Sequence, residues 1–213
     1  MTMTASFSYV SADQYHALQS PLVLPTQREL FDYQVGILQE KGLDLPDEDV
    51  DRLYSLIPSD SQLFLVVPRR SDTLDLKGLM RLIIVNREPG ENYLDPQHLT
   101  DVNPVPTGAH LLIDIEDGRK RLNTKHDLIS ENIQLEGRIA YSAWYGLIHG
   151  ILFPYVLESP KGHNLDLFGS RYESMSVPCL SMGDKFPMLK PSLWRGFSFR
   201  NWGAPSAGSA VGA

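Results

Sequence analysis

Cysteine is almost absent from this sequence, which holds only Cys179 in 213 residues. One cysteine cannot form a disulfide within the chain, and low cysteine use is typical of a reducing compartment. The first residues contain neither a basic segment nor a continuous apolar segment, so we expect no signal peptide. Nowhere do about 18 uncharged apolar residues follow one another, as a membrane-spanning helix requires. We therefore expect a soluble, cytoplasmic protein that has no membrane partner.

Positive charge is also scarce, because 19 lysines and arginines face 26 acidic residues and the formal net charge is -7. Nucleic-acid binding requires a basic face that neutralises phosphates, so we expect no nucleic-acid partner. The charge is unevenly distributed. Residues 26–60 hold nine acidic and three basic residues, whereas residues 160–213 hold three acidic and six basic ones. The C-terminal third can therefore meet an anionic small molecule, although two ordinary solvated surfaces explain the same counts.

Motifs that specify a reaction are missing from the sequence. It has no phosphate-binding Walker loop, no Gly-x-Ser-x-Gly nucleophile elbow, no Gly-x-Gly-x-x-Gly segment and no His-Glu-x-x-His zinc motif. The acidic residues 47–49 are adjacent at a predicted helix start, where the helix dipole favours them, and they do not converge as metal ligands would. We therefore predict no metal and no cofactor, and whether the protein is an enzyme stays open.

Capping signals mark the predicted helices. Thr26 and Glu29 form a capping box ahead of the first helix, and Gly42 sits where a left-handed C-terminal cap belongs. Ser142 caps the last helix, and Leu128 and Leu135 are expected on the buried stripe of the helix before it. The predicted helices run over 27–41, from Pro46 to Pro58, from Thr124 to Gly137 and over 143–152.

Apolar runs between turn residues predict strands. The segment from Gly108 to Gly118 is interpreted as a central strand over 109–115, because branched side chains lie between two glycines. The other predicted strands are 63–67, 79–85 and, as a C-terminal meander, 165–168, 177–182 and 186–194. Helices between the strands exclude an all-β fold. We predict a single α+β domain with a mixed, largely antiparallel sheet packed by helices, plus the C-terminal meander.

Composition sets the predicted boundaries of this domain. At about 150 residues per domain, the length favours one domain with extended ends. Residues 1–25 include two prolines and show no sustained period, which predicts an N-terminal arm. Residues 203–213 are small, and we expect them to bury too little surface to order themselves. The domain is therefore predicted over 26–202, followed by a flexible small-residue tail.

The order of several short motifs resembles that of a known family. The strand LLIDIEDG is followed by a helix, by Glu136 to Arg138, by a helix that carries a histidine, by Phe168 to Arg171, by Val177 to Leu180 and by Ala204 to Gly208. This order, over roughly 27–210, resembles a family of uncharacterised bacterial proteins classed only as a domain of unknown function. The resemblance implies one soluble domain with no assigned activity. The chain departs from it at 194–202, which is less glycine-rich here.

The turn at Gly169 is one candidate binding site. Ser170 and Arg171 follow a predicted strand, and backbone N–H groups beside an arginine can cradle phosphate or carboxylate. A tight turn whose arginine pairs with a carboxylate explains the same residues. Asp114 and Glu116 are predicted on one face of the central strand, where they can act as acid and base or simply face solvent.

Two further residues are candidates for chemistry within apolar surroundings. His149 lies on an apolar helix, with Tyr145 and Phe153 one turn away on either side, and can serve as a base or as a buried structural histidine. Cys179 has no obvious basic neighbour in the sequence. We therefore expect an inert core thiol rather than a nucleophile.

The segment from Trp194 to Trp202 alternates rings and cations, a pattern typical of binding surfaces. A period of two puts Trp194, Arg200 and Trp202 on one face, while an edge strand that packs its phenylalanines inward is the alternative. We favour a non-catalytic binding or assembly module that uses this Trp/Arg face. A homodimer is one way in which such a face can be covered. The alternative is a small hydrolase or transferase that grips an anionic small molecule with Arg171 and Arg200, and uses His149 or Asp114 as base.

Overall fold

The fold is described from a computed structural model, in which residues 25–61, 63–70, 75–158, 162–174, 176–193 and 200–212 are placed. Within these ranges the α-helices are α1 (Gln27–Glu40), α2 (Asp47–Ser55), α3 (Leu76–Leu82), α4 (His126–Leu135) and α5 (Ala143–Leu152). The strands are β1 (Phe64–Val67), β2 (Ile84–Val85), β3 (Glu88–Pro89), β4 (Glu91–Asn92), β5 (Leu99–Asp101), β6 (His110–Glu116), β7 (Ile139–Ala140), β8 (Asn164–Asp166), β9 (Ser170–Tyr172), β10 (Ser176–Met182), β11 (Pro187–Leu193), β12 (Trp202–Gly203) and β13 (Ser206–Val211). Short 3-10 turns lie at Pro96–His98, Arg119–Arg121 and Pro154–Leu157.

Local signals place the helix ends where the sequence predicts them. The capping box between Thr26 and Glu29 is formed in both directions, and Gly42 has a φ of 71° just beyond α1. Ser142 accepts a hydrogen bond from the backbone N–H of Tyr145 at the start of α5. The predicted helices at 27–41 and 143–152 are confirmed.

The first sheet has the order β1-β6-β13-β7 among the described strands, and every neighbouring pair is antiparallel. Its central strand β6 matches the predicted strand over 109–115 and is buried except at Asp114. The strand β13 corrects the prediction of a flexible tail over 203–213. It lies between β6 and β7, so both edges of its backbone are hydrogen-bonded, and small residues such as Gly208 allow close approach to Asp114.

The apolar run at 79–85 also differs from its prediction as a strand. Most of it belongs to helix α3, whose start is capped by the Asp75 carboxylate, which accepts from the Gly78 N–H at 2.7 Å. Leu79, Met80 and Ile83 are buried, a spacing that fits one face of a helix. A short apolar run fits a buried strand and a buried helix equally well, and the cap decides in favour of the helix.

The second sheet has the order β12-β8-β10-β11-β4 in the described part of the chain, with β9 pairing both β10 and β5. Its core, the antiparallel pair β10 and β11, is the predicted C-terminal meander. The sheet is mixed, because β12 runs parallel to β8 and β11 runs parallel to β4. The protein is thus an α+β domain with mixed, largely antiparallel sheets.

The two faces of the second sheet pack against different helices. One face, with Leu165, Leu180 and Leu189, joins the main core around α5, in which every residue is buried. The other face, with Val177, packs against α4 in a smaller apolar cluster. Leu128 and Leu135 of α4 are 48% and 78% exposed, so their predicted place on its buried stripe is wrong. Of the helices described, none is long and apolar enough to cross a membrane.

Candidate functional site

The carboxylate of Asp114, in the first sheet, forms an ion pair with Arg138. Its backbone has a φ of 53°, its side chain is exposed, and Arg138 Nη1 lies 2.5 Å from its Oδ2. Arg138 also donates to the Ser206 hydroxyl at 2.9 Å. The Arg138 side chain therefore links β6 to β13. This ion pair explains the position of the Asp114 carboxylate without a catalytic role.

Glu116 is buried and is held by an arginine as well. It accepts from the backbone N–H groups of Gly118 and Lys120, both at 2.9 Å, and from Arg121 at 2.7 Å. Burial raises the pKa of the Glu116 carboxyl above its usual value. Arg121 also donates to the Ser206 hydroxyl. The arginines of both ion pairs, Arg121 and Arg138, therefore contact the same serine. Within the described ranges, no group of three or more acidic, histidine or cysteine side chains is arranged to hold a metal ion.

His149 is buried in the main core, with 2% of its surface exposed. Its ring lies 5.8 Å from the ring of Tyr141 and 5.3 Å from that of Phe153. Burial lowers the pKa of His149 to about 4, so the imidazole is neutral at pH 7. Asp114, His149 and Arg171 thus lie on three different elements, β6 of the first sheet, the core helix α5 and β9 of the second sheet.

Ser170 and Arg171 hold elements of the fold together at the turn after β8. The Ser170 hydroxyl donates to Asp101 at 2.7 Å and accepts from the first N–H of α5, that of Ala143, at 2.9 Å. Arg171 donates to the carbonyls of Phe168 and Ser170. The N–H groups of Gly169 and Ser170 donate to backbone carbonyls. The donors that an anion would need in this turn therefore already have acceptors.

The C-terminal Trp/Arg face is described only in part. Trp194 and the residues up to 199 lie outside the described ranges, whereas Arg200 and Trp202 lie within them. Arg200 is exposed and Trp202 is half-buried. The Trp202 ring lies 5.6 Å from the ring of His126 at an interplanar angle of 35°. Of the predicted binding residues, these two therefore share one end of the second sheet.

His126 and Asp166 form a buried pair beneath Trp202. The Nε2 atom of His126 lies 2.7 Å from Oδ2 of Asp166, and the two side chains are 1% and 0% exposed. The sequence gives no sign of this pair, because 40 residues separate its members and no motif links them. The one local signal is Asp166 itself, an acidic residue within the apolar run from Leu165 to Phe168. A buried carboxylate in a strand requires a partner.

Asp166 also begins a line of polar side chains across the second sheet, which we call the polar row. Asp166 lies directly opposite Cys179, and Cys179 lies directly opposite Lys190. Residues directly opposite one another share a face, so the three side chains point to the side that packs against α4. Burial, reinforced by the Asp166 charge, raises the pKa of the Cys179 thiol well above its usual value although Lys190 opposes the shift. The thiol is therefore protonated at pH 7, as the expectation of an inert thiol requires.

The candidate site consists of Trp202, the His126–Asp166 pair and the polar row. Three exposed cations lie on segments that neighbour Trp202. Arg200 is two residues before it, Lys125 precedes His126, and Lys120 lies in the 3-10 turn whose neighbour Gly118 packs against Gly203, while the exposed Asp127 follows His126. Searches of protein families, of curated proteins and of solved structures found no match to this chain, so the family resemblance stays a prediction.

Proposed function

We propose that this protein is a non-catalytic binding module that recognises an anionic partner through the face around Trp202. The observation that carries the proposal is the position of a half-buried tryptophan over a buried His–Asp pair, beside segments that carry exposed cations. Tryptophan and arginine are the residues most enriched among the anchors of interfaces. The proposed partner therefore combines a negative charge with a flat or apolar part that packs on the indole.

The Trp202 ring packs on a buried histidine, which holds the indole in one position for ligand binding. Its ring packs on His126, and His126 is fixed by the 2.7 Å contact with the fully buried Asp166. The Phe168 ring also contacts the imidazole in a T-shaped arrangement, with 5.4 Å between the ring centroids. An aromatic side chain on such a support loses little conformational entropy on binding. The support thus favours a binding role for Trp202.

The charges around Trp202 favour an anion over a cation. Lys120, Lys125 and Arg200 are exposed, and none of them forms an ion pair with any residue of the described ranges. The whole chain carries a net charge of -7, so three exposed cations on the segments that neighbour Trp202 are a local exception. A local positive potential steers anions towards the site and weakens as the salt concentration rises.

The proposal is tested by calorimetric titration of the protein with AMP, benzoate and inorganic phosphate. We expect AMP or benzoate to bind, because each combines an anion with a flat ring, and we expect the affinity to fall with added salt. Arg200→Gln weakens this binding about threefold to tenfold, whereas Arg81→Gln, an exposed arginine on α3, leaves it unchanged. Absence of binding by all three compounds, with the protein folded, contradicts an anion site at this face.

A small enzyme acting on an anionic small molecule is the second candidate function. The buried His126–Asp166 pair favours it, because a carboxylate that holds one imidazole nitrogen is the arrangement that orients a general base. We test it with p-nitrophenyl acetate and p-nitrophenyl phosphate. Hydrolysis that is lost in His126→Gln and retained in His98→Gln supports the enzyme and contradicts the non-catalytic module.

A second copy of this chain is the competing occupant of the Trp202 face. In a two-fold homodimer, the Trp202 face of each chain packs against the same face of the other chain. Light scattering of the full-length chain separates the two cases. A dimer that dissociates in Arg200→Glu assigns the face to self-association, whereas a monomer leaves it open to an external anionic partner.

A further inference from the structure

His163 packs against β12, the strand that begins with Trp202. A Cβ added at Gly203 would lie 2.9 Å from Cδ2 of the His163 ring, so the strand passes directly over the imidazole. The histidine is 4% exposed. The backbone N–H of the next residue, Asn164, donates to the Asn201 carbonyl at 2.7 Å. The position of β12 therefore depends on His163 and on the start of β8.

The hydrogen bonds of His163 determine its tautomer. Its Nε2 lies 2.8 Å from the carbonyl oxygen of Asp117, which only accepts, so Nε2 carries the proton of the neutral ring. The other nitrogen, Nδ1, is then an acceptor. It is buried and has no hydrogen-bond partner in the described part of the chain. A second proton would therefore be placed on a buried nitrogen that faces no acceptor among these residues.

The charged and titratable groups that face His163 do not supply such an acceptor. They are Asp117 and Arg119 of the turn after β6 and His149 of α5, whereas β12 contains no titratable side chain. Arg119 donates to both oxygens of the Asp117 carboxylate, from its backbone N–H to Oδ1 and from its guanidinium to Oδ2. Burial lowers the pKa of His163, with Arg119 acting in the same direction and Asp117 opposing it. The folded protein therefore favours the neutral ring.

The strand β12 is the element that moves most easily when His163 becomes charged. It has two residues and lies at the edge of the second sheet, where β8 is its neighbour among the described strands. A short strand at a sheet edge opens at a lower free-energy cost than the centre of the sheet. A charged imidazole gains hydration by turning towards solvent. Gly203 then loses the ring against which it packs.

We propose that His163 is the positioning residue of the Trp202 face: the neutral imidazole holds β12 in place, and protonation of Nδ1 releases β12 together with Trp202. The face is thus formed at neutral pH and opened in acid. Release of an anionic partner in acid follows from this opening and rests on the function proposed for the Trp202 face. The movement of β12 does not depend on that function.

Hydrogen exchange of the full chain tests the movement of β12. Exchange of the amides of residues 201–204 is measured by mass spectrometry at pH 7.5 and pH 5, and is corrected for the intrinsic effect of pH on exchange. We expect it to rise about threefold to thirtyfold in acid, the upper limit being set by the ordinary histidine pKa of about 6.5 in the open state. His163→Gln keeps an N–H donor for the Asp117 carbonyl but does not titrate, so its exchange changes less than about twofold.

Other histidines are separated by the same measurement. His149 has a pKa of about 4 because of burial and stays neutral between pH 7.5 and pH 5. His98→Gln removes an exposed histidine whose ring contacts Tyr172, and is the control that keeps the acid response of β12. His126 lies beneath Trp202 and is the competing origin of such a response. An acid response that persists in His163→Gln therefore overturns the proposal.

NMR titration of the wild-type protein decides the case in which His163→Gln does not fold. The signals of the His163 ring, the Trp202 indole and the Gly203 amide are followed from pH 7.5 to pH 5. We expect the three to change with one common midpoint. Different midpoints overturn the proposal, and so does a histidine that does not titrate above pH 5.

Benzoate titrations at the two pH values distinguish this proposal from the function of the face. We expect weaker binding at pH 5 than at pH 7.5 in the wild type, because the competent state is less populated, and equal binding in His163→Gln. If benzoate binds at neither pH while β12 responds, the proposed function fails and the role of His163 stands. If the wild type binds benzoate equally at both pH values, acid release of the partner is overturned.

Discussion

The side-chain amide of Gln34 pairs with the backbone of Val66 as a neighbouring strand would. Its Oε1 accepts the Val66 N–H at 2.9 Å, and its Nε2 donates to the Phe64 carbonyl at 3.2 Å. Gln34 lies on α1 and is fully buried. The outer edge of β1 is thus satisfied by a helix side chain, which closes an edge that could otherwise pair with another chain.

Gln34→Leu is expected to lower the free energy of unfolding by about 2–4 kcal/mol. The substitution keeps the volume but leaves one buried N–H and one buried carbonyl without this partner. Urea unfolding followed by circular dichroism measures the change. Gln134→Leu, at an exposed position of α4, is the control and changes the stability by less than about 0.5 kcal/mol. Equal stability of both variants would show that the Gln34 bonds contribute nothing.

The buried His149 is expected to make the protein less stable in acid. Its pKa is about 4 in the folded protein because of burial and about 6.5 when unfolded, so the unfolded state binds the proton more readily. The free energy of unfolding therefore falls as the pH drops from about 6.5 to about 4, by about 3 kcal/mol from this residue. Burial also lowers the pKa of His110 and of His163, so both residues contribute to the loss of stability in acid in the same sense as His149.

His149→Leu tests this assignment by urea unfolding at a series of pH values. We expect a shallower loss of stability between pH 6.5 and pH 4 than in the wild type, since the titrating group is gone. Gln134→Leu, at an exposed position of α4, removes no titrating group and leaves the pH dependence unchanged. A pH profile that is identical in His149→Leu and the wild type would assign the acid sensitivity to other groups.

Gly169→Ala is expected to destabilise the protein by about 1–3 kcal/mol. A Cβ at this position would lie 2.6 Å from the backbone nitrogen of Ser142, at the start of α5, and backbone atoms cannot move aside cheaply. Thermal unfolding measures the effect. Gly36→Ala is the matched control, because an added Cβ there meets nothing within 4 Å, and alanine in a helix raises stability by about 0.5–1 kcal/mol.

A chain that ends at Trp202 is expected to lose its fold. The deletion removes β13, which pairs with β6 along most of its length and with β7 at its start. Limited proteolysis and circular dichroism compare this chain with one that ends at Val211, which keeps the strand. Native-like spectra and protease resistance in the shorter chain would contradict a structural role for β13.

Elements with strong local signals could be predicted from the sequence. The capping box at Thr26 and the cap at Ser142 act within four residues, so the ends of α1 and α5 follow from the chain itself. The central strand β6 follows from its branched residues between two glycines. The pair β10 and β11 follows from two apolar runs joined by a short turn. In each case the determining interaction lies between near neighbours.

The candidate site could not be predicted in the same way. His126 and Asp166 meet only because α4 packs on the second sheet, and Asp166, Cys179 and Lys190 are aligned only by strand register. Neither relation leaves a spacing in the sequence. Trp202 was predicted as an outward anchor, but its support by His126 depends on the parallel pairing of β12 with β8.

The sequence by itself determined the α+β class, the ends of the capped helices and the strands β6, β10 and β11, because these depend on local hydrogen bonds and on the period of burial. Only the tertiary structure decided that 206–211 is a strand. Small side chains carry little apolar surface, but a backbone held between two strands gains hydrogen bonds on both edges, which composition does not reveal. The same holds for the buried charges, since a carboxylate such as Asp166 is tolerated only where distant residues supply its partner.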